Sequence, residues 1–423
     1  SRGVRRGIVR RHSHRRLNFS VRTDTVYWMR EPLFGRSKDE LETLVRELGE
    51  QEYRGRQLYS GLYQRGVTSF DELTDISKRF REILADHVTI GRNAPASVTE
   101  SQDGTRKYLF PTQHGGFVEA AVIPEGNRVT LCLSTQVGCR RSCTFCQTAR
   151  QGFQGNLSPG EILNQYYGLP ERDSVTNIVY MGMGEPLDNL NSTLASLELF
   201  TDPSGTALPP RRITVSTVGI FPALETFLDQ SGANLAVSMH TPFPDERRRI
   251  MPVENANPIR ETIRLIKERG EDKKGKVTTE YRLCAGVNDT KRHAREIAGL
   301  LGDVSVRINL IPFHKIPNTP LEPTSAENIR TFQSWLRERG MRAFVRRSRG
   351  QDIQAACGML WTRHVRNAES SVAAPDSTTA SNPAAPGSAT ASNPAAPGST
   401  TESNPATPDS PTASGPQTND PRS

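Results

Sequence analysis

The sequence predicts an α/β protein built on a partial (β/α)6 barrel of TIM-like type, with a small helical accessory domain before it and a disordered tail after it. Three observations carry this. Between residues 129 and 340, six short apolar runs alternate with helical stretches, as parallel strands joined by crossover helices require. Residues 33–90 instead show apolar positions at helical spacing, broken by glycine turns. From residue 367 onward almost nothing apolar remains.

Residues 1–28 hold eight Arg and one Asp and lack an apolar stretch. That composition suits an organellar transit peptide, and equally a translated extension ahead of a start at Met29. The net charge of +8 is unevenly placed: +7 lies in residues 1–28 and −4 from Asn367 onward, leaving +5 in 29–366. Overall basicity is therefore weak evidence for nucleic-acid binding. The local runs Arg211-Arg212, Arg247-Arg248-Arg249 and Arg342/Arg346/Arg347/Arg349 are better candidates, although such runs are usually solvated faces.

The segment SKDELETLVRELG starts with a Ser cap at Ser37 and repeats apolar residues at helical spacing. The stretch 53–84 reads as further short helices, and the accessory domain is expected over 29–95. The barrel, 96–366, opens with a hairpin-like part, KYLFPTQHGGFVEAAVIPE. The strands follow as VTLCLST, NIVYMG, ITVSTVG, NLAVSMH, VTTEYRLCAGV and SVRINLIPFH, with IRETIRLIKERG and ENIRTFQSWLRERG among the helices. In such barrels the chemistry sits at the strand C-termini, where GMGEP, STVG, SMH and FH fall. Residues 367–423 carry an 11-residue repeat beginning at Ser381, Ser392 and Ser403. Proline-rich and poor in apolar residues, this tail is expected to be disordered. No run of about 18 apolar residues occurs, so no membrane span is indicated.

Three of the six cysteines share one loop, VGCRRSCTFCQTARQGF, as Cys139-x3-Cys143-x2-Cys146. Such clustering argues for metal ligation in a reducing compartment rather than a disulfide framework; a cytoplasmic site follows, or an organellar one if 1–28 is a transit peptide. Three thiolates at this spacing can hold three irons of a cubane cluster, leaving the fourth iron open to a small molecule. Structural zinc is the alternative, but it wants four closed ligands, and no His or Cys follows nearby. Glu185 in GMGEP offers a carboxylate to an ammonium group, and its glycines, Gly184 included, allow close backbone approach. Cys284 reads as an inert buried residue. Cys357 lies in the glycine-rich, basic text RRSRGQDIQAACG, which favours a reactive thiol on a loop.

The text VGCRRSCTFCQTARQGFQGNLSPGEI, TNIVYMGMGEPLDNL, RRITVSTVG, LAVSMH, RINLIP and RGQDIQAACG resembles the RlmN family of radical S-adenosylmethionine (SAM) adenine methyltransferases over roughly residues 31–365. The resemblance implies a radical SAM barrel that methylates carbon 2 of an adenosine in 23S rRNA and tRNA. It implies a [4Fe-4S] cluster on Cys139, Cys143 and Cys146, and SAM held by Gly184, Glu185, Ser216, Ser238, Met239, His240 and His314. His314 departs from the family, which usually has Asn there. Cys357 becomes the S-methylcysteine carrier, Cys132 resolves a protein–RNA cross-link and Glu119 accepts the ring proton, with two SAM used per turnover. The accessory domain is expected to hold folded RNA, a flavodoxin or ferredoxin system to supply electrons, and the protein to be a monomer. The neighbouring readings are a Cfr-type carbon-8 methyltransferase, a radical SAM enzyme on a small molecule, and a non-catalytic zinc/RNA-binding module.

Overall fold

A computed structural model describes residues 30–269 and 276–362; the leader 1–28 and the repeat tail 367–423 lie outside the described residues. The chain opens with β1 (Glu31–Pro32), α1 (Lys38–Glu47), α2 (Tyr53–Ser60), α3 (Lys78–His87) and β2 (Val88–Thr89). Ser37 caps α1 as expected: its hydroxyl accepts from Glu40 N at 3.2 Å while its own amide donates to the Glu40 carboxylate at 2.7 Å, a reciprocal capping box.

The barrel strands are β3 (Ser97–Glu100), β4 (Arg106–Pro111), β5 (Phe117–Glu125) and β6 (Arg128–Cys132). An insertion follows, made of β7 (Gln136–Gly138), α4 (Gln147–Arg150), β8 (Phe153–Asn156) and α5 (Pro159–Tyr167). Strands and helices then alternate: β9 (Asn177–Tyr180), α6 (Leu190–Thr201), β10 (Ile213–Thr217), α7 (Ala223–Gln230), β11 (Asn234–Ser238), α8 (Pro244–Ile250) and α9 (Ile259–Arg269). The series closes with β12 (Val277–Leu283), α10 (Lys291–Leu301), β13 (Arg307–Pro312), α11 (Ala326–Arg337) and β14 (Arg342–Val345).

All six sequence-read strands are present, and they join a larger sheet. Its order is β14-β13-β12-β11-β10-β9-β6-β5-β4-β3. Strands from β6 through β14 run parallel, while β3, β4 and β5 extend the edge antiparallel. The two faces of the parallel part differ in chemistry. Ile213, Val215, Leu235, Val237, Met239, Val277 and Tyr281 are buried in the main apolar core. Their alternating neighbours Thr214, Ser216, Asn234, Ser238, Thr278, Glu280 and Asn309 line the hollow side of the sheet, as the period of two dictates. A polar inner face is suited to ligands rather than to packing.

The accessory helices share this apolar core. Phe34 stacks on Tyr63 (centroids 5.3 Å apart) and meets Tyr167 of α5 edge-on at 5.1 Å. Tyr167 OH donates to the Tyr63 carbonyl at 2.7 Å. Gly35 makes this docking possible: a Cβ there would come 2.4 Å from the amide nitrogen of Gly160. No helix among the described residues is long and apolar enough to cross a membrane.

Candidate active site

The loop after β6 turns the three cysteines inward. Cys139, Cys143 and Cys146 line one cleft of about 810 Å³, together with Gly184, Glu185, Ser216, Ser238, His240, Arg282 and Cys357. The hairpin β7–β8 sets the loop: Cys139 N donates to Gly152 O at 3.1 Å, and Thr144 N bonds Ile250 O at 3.0 Å, docking the loop on α8. Among the described residues no three His, Cys, Asp or Glu side chains converge so as to hold a single metal ion. Three thiols bordering one cleft match the three protein ligands a cubane with one open iron requires, whereas a structural zinc site wants four closed ligands. Burial pushes the Cys139 thiol up to about 12 and raises that of Cys143 as well. Such thiols become thiolates only when a cationic centre compensates the lost hydration.

Glu185 follows the β9 turn and is 4% exposed. Its carboxylate accepts from Leu187 N at 3.0 Å, Val218 N at 3.0 Å and Thr217 Oγ1 at 2.6 Å. Burial raises its pKa, and these three donors oppose the rise. Gly184 has φ +100°, and a Cβ there would lie 2.6 Å from Gln136 Cβ, so glycine alone lets this turn pass. His240 has φ +60°. Its Nδ1 accepts from Arg282 N at 3.0 Å, and burial holds its pKa well below the ordinary value, helped by Arg282 and Arg247. The imidazole is therefore neutral, with its proton on Nε2. Ser216 and Ser238 face the cleft from adjacent strands.

Two residues expected at this cleft stand elsewhere. Met239 is fully buried in the apolar core; next to an inward-facing Ser238, strand alternation turns it to the helix side. His314 lines a second cleft, and its Nε2 is 2.6 Å from Ser348 Oγ.

That second cleft, about 1300 Å³, is lined by Cys132, Cys357, Arg128, Arg346, Arg347 and Arg349 among others. Cys357 borders both clefts. Cys132, in register with Ala121 and Val179, is buried to 7% exposure. Burial raises its thiol to about 12, with Cys357 adding to the rise and Arg346 opposing it. Burial alone would lower the Arg346 pKa, but Cys357, Glu280 and Cys132 raise it above the usual range.

The Cys357 segment is tied at both ends. Gly350 N donates to Asp103 at 2.9 Å and Ser101 Oγ to Asp352 at 2.6 Å. Further on, Gln147 N bonds Gly358 O at 2.8 Å, Thr148 Oγ1 bonds Leu360 O at 2.7 Å, and Gln151 Nε2 bonds Thr362 Oγ1 at 2.6 Å. Glu119 belongs to this fastening. Its Oε2 accepts from Trp361 N at 2.9 Å and its Oε1 pairs with Lys107 Nζ at 2.9 Å. It lines neither cleft.

Arg247 has a role that sequence reasoning did not assign to it. Within an Arg run offered as a candidate nucleic-acid contact, it is instead fully buried and pairs with Glu254 at 2.5 Å. It also donates to the carbonyls of Val218, Ser238 and Met239 at 3.0–3.2 Å, bracing the strand ends that line the first cleft. The signal was available: Phe243, Arg247 and Ile250 share one helical face.

Residues 133–301 match the Radical SAM superfamily, and residues 32–90 match the ribosomal RNA large subunit methyltransferase N-terminal domain. The chain is 46% identical over 330 residues to a probable dual-specificity RNA methyltransferase RlmN of Phocaeicola vulgatus, covering 78% of this chain and 95% of that protein. The dual-specificity RNA methyltransferase RlmN of Desulfotalea psychrophila is 39% identical over 338 residues, covering 77% and 93%. The crystal structure of a radical SAM methyltransferase from Sphaerobacter thermophilus matches with a TM-score of 0.75 at 36% identity, covering 78% of this chain and 99% of that one. Membership of the superfamily brings a [4Fe-4S] cluster and SAM as cofactors. Relatives that align along almost their whole length, on a fold whose thiols already share a cleft, put the chain in the RlmN family: it is a radical SAM RNA methyltransferase.

Proposed function

We propose that this enzyme methylates carbon 2 of an adenosine in 23S rRNA and in the tRNA anticodon loop. The observation that carries the reading is the position of Cys357, whose side of the loop borders both the cleft of the three clustered thiols and the cleft of Cys132. A thiol so placed can receive a methyl group from one side and present it on the other. When bound, the cluster and SAM supply the methyl group and the radical chemistry that activates it. Carbon 2 lies between two ring nitrogens, is electron-poor, and cannot attack a methyl cation equivalent itself. A covalent carrier solves this, and Cys357 is the proposed carrier, as its S-methyl thioether.

Cys139, Cys143 and Cys146 hold the cluster in this reading. Gly184, Glu185, Ser216, Ser238 and His240 hold SAM, while Met239 packs behind them in the apolar core. His314 and the arginines of the second cleft face the RNA base, which must be unstacked to enter. Glu119 takes the ring proton once Trp361 leaves its Oε2; the Cys132 thiolate then attacks the sulfur of Cys357, breaking its bond to the transferred carbon, which takes up a proton as the product methyl group, and a disulfide is left for reduction. Residues 29–95 hold folded RNA through phosphates and shape, and 96–366 form the catalytic unit. A monomer in the cytoplasm, fed by a flavodoxin or ferredoxin system, completes the proposal.

The test is mass spectrometry of digested 23S rRNA and tRNA from cells with this gene as their only candidate methylase. 2-Methyladenosine that disappears with Cys357→Ala establishes the reaction. 8-Methyladenosine moves the chain to the Cfr-type reading. Neither product, with a reducible cluster present, means the RNA target is wrong.

A further inference from the structure

The inner side of the cluster loop faces the cofactor cleft; its outer side carries a different chemistry. From Gln136 to Asn156 the sequence has three arginines and no acidic residue. Arg141 is consumed internally, its Nε bonding Asp188 at 2.6 Å. Arg140 and Arg150 are exposed and form no ion pair among the described residues. The Arg140 guanidinium lies 3.9 Å over the ring of Phe153, itself 36% exposed and one of the few large apolar side chains at the surface.

The hairpin makes this patch local to the cluster. Cys139 N bonds Gly152 O, and Gly138, at φ +73°, runs so close that a Cβ would lie 1.6 Å from that same oxygen. Arg140 and Phe153 are thus the residues directly following Cys139 and Gly152 across a pinned hairpin. None of Arg140, Arg150 and Phe153 lines either cleft.

We propose that Arg140, Arg150 and Phe153 form the docking face for an acidic one-electron donor protein of the flavodoxin class. The inference rests on Cys139, Cys143 and Cys146 being the cluster ligands. Electron-transfer encounters use small, weak interfaces, and a single-sign patch with an aromatic centre steers and seats such a partner. The step moves one electron: the donor is oxidised by one and the cluster reduced by one, with no bond made or broken. Because the patch is separate from the thiol cleft with its Arg128, Arg346, Arg347 and Arg349, the donor can work while RNA occupies that cleft. An RNA-binding patch is the competing use of exposed Arg and Phe. It is disfavoured because the reactive thiols open on the other, arginine-lined cleft.

The experiment follows bleaching of the cluster's visible absorbance in the reconstituted holoenzyme by stopped flow. Reduced flavodoxin and photoreduced deazaflavin, which needs no docking face, serve as the two reductants. Arg140→Glu and Phe153→Ala should each slow reduction by flavodoxin at least about tenfold, and Arg140→Glu alone should also flatten its dependence on ionic strength. The deazaflavin rate, iron content and RNA affinity should stay unchanged. Unaltered flavodoxin rates in both variants overturn the proposal. Loss of RNA affinity with normal flavodoxin reduction assigns the patch to RNA instead. Equal slowing with both reductants means the cluster itself was disturbed and also overturns it. A wild-type protein with no bleachable chromophore sinks the ligand assignment beneath it.

Discussion

The amide of Gln147 donates to the carbonyl of Gly358 at 2.8 Å. Gln147 follows the third clustered cysteine and Gly358 follows the proposed methyl-carrier thiol, so one hydrogen bond fixes Cys357 relative to Cys146. Gly358 has φ +75°, and a Cβ there would fall 2.2 Å from Arg282 Nη1. Gly358→Ala therefore strains the backbone by about 1–3 kcal/mol and pushes the loop off its register. Methylation should fall at least about a hundredfold, since small misplacements of reacting atoms cost that much, while iron content is retained. Near-normal activity in a quantitative RNA assay would remove the positional role.

Glu185→Gln tests the carboxylate proposed to hold the SAM ammonium. Three donors converge on it, and glutamine turns an NH2 toward one of them. SAM affinity should drop by about tenfold or more, as a charge-assisted contact is worth about 1.5–3 kcal/mol. Equilibrium dialysis measures this directly; unchanged affinity would place the SAM amino group elsewhere.

Arg247→Met should be among the most destabilising single changes. It strands Glu254 and releases three carbonyls at the ends of the sheet. Breaking a buried pair costs about 3–5 kcal/mol, read as a lower denaturant midpoint. Pairing it with Glu254→Leu should recover part of that loss.

His240 gives stability a pH dependence of known sign. Its folded pKa is depressed, chiefly by burial, so below the ordinary value of about 6.5 the unfolded chain takes up a proton that the folded one refuses. Stability from this group is full above that pH and falls on acidification by about 1.4 kcal/mol per unit. Denaturant titrations at pH 7.5, 6.5 and 5.5 should show the loss, and His240→Gln should shrink it. An identical slope in the variant would assign the effect to another group.

Cys132→Ala removes the proposed resolving thiol while leaving Cys357 in place. The expected product is a protein–RNA adduct that survives denaturing electrophoresis and is absent from the double variant with Cys357→Ala. Free methylated RNA at normal yield would mean Cys132 has no part in release.

Much of the barrel was legible because strands buried on one face print their period in the text, and polar strand ends stand out against Val, Ile and Leu. Adjacency misled at Ser238-Met239: neighbouring strand residues face opposite ways, so only Ser238 reaches the cleft. His314 lies just past the end of β13, where the direction of a side chain depends on the chain's exit from the strand rather than on any periodicity. The hairpin β7–β8 left no alternation to read, its strands being only QVG and FQGN on either side of the cysteine loop. Glu119 is picked out by the resemblance alone; that it fastens the Cys357 segment depends on a residue 242 positions away.

Cys357 bordering two chambers also bears on inhibitor design. A molecule that fills the first cleft with an adenosine-like head and reaches past the thiol with an anionic or aromatic tail, to meet the arginines of the second, would occupy two sites at once, and the linked halves would gain from effective concentration. SAM-dependent enzymes in which the two sites are not joined through such a thiol would bind only the head. Selectivity would then come from the passage between the chambers rather than from the cofactor pocket that so many enzymes share.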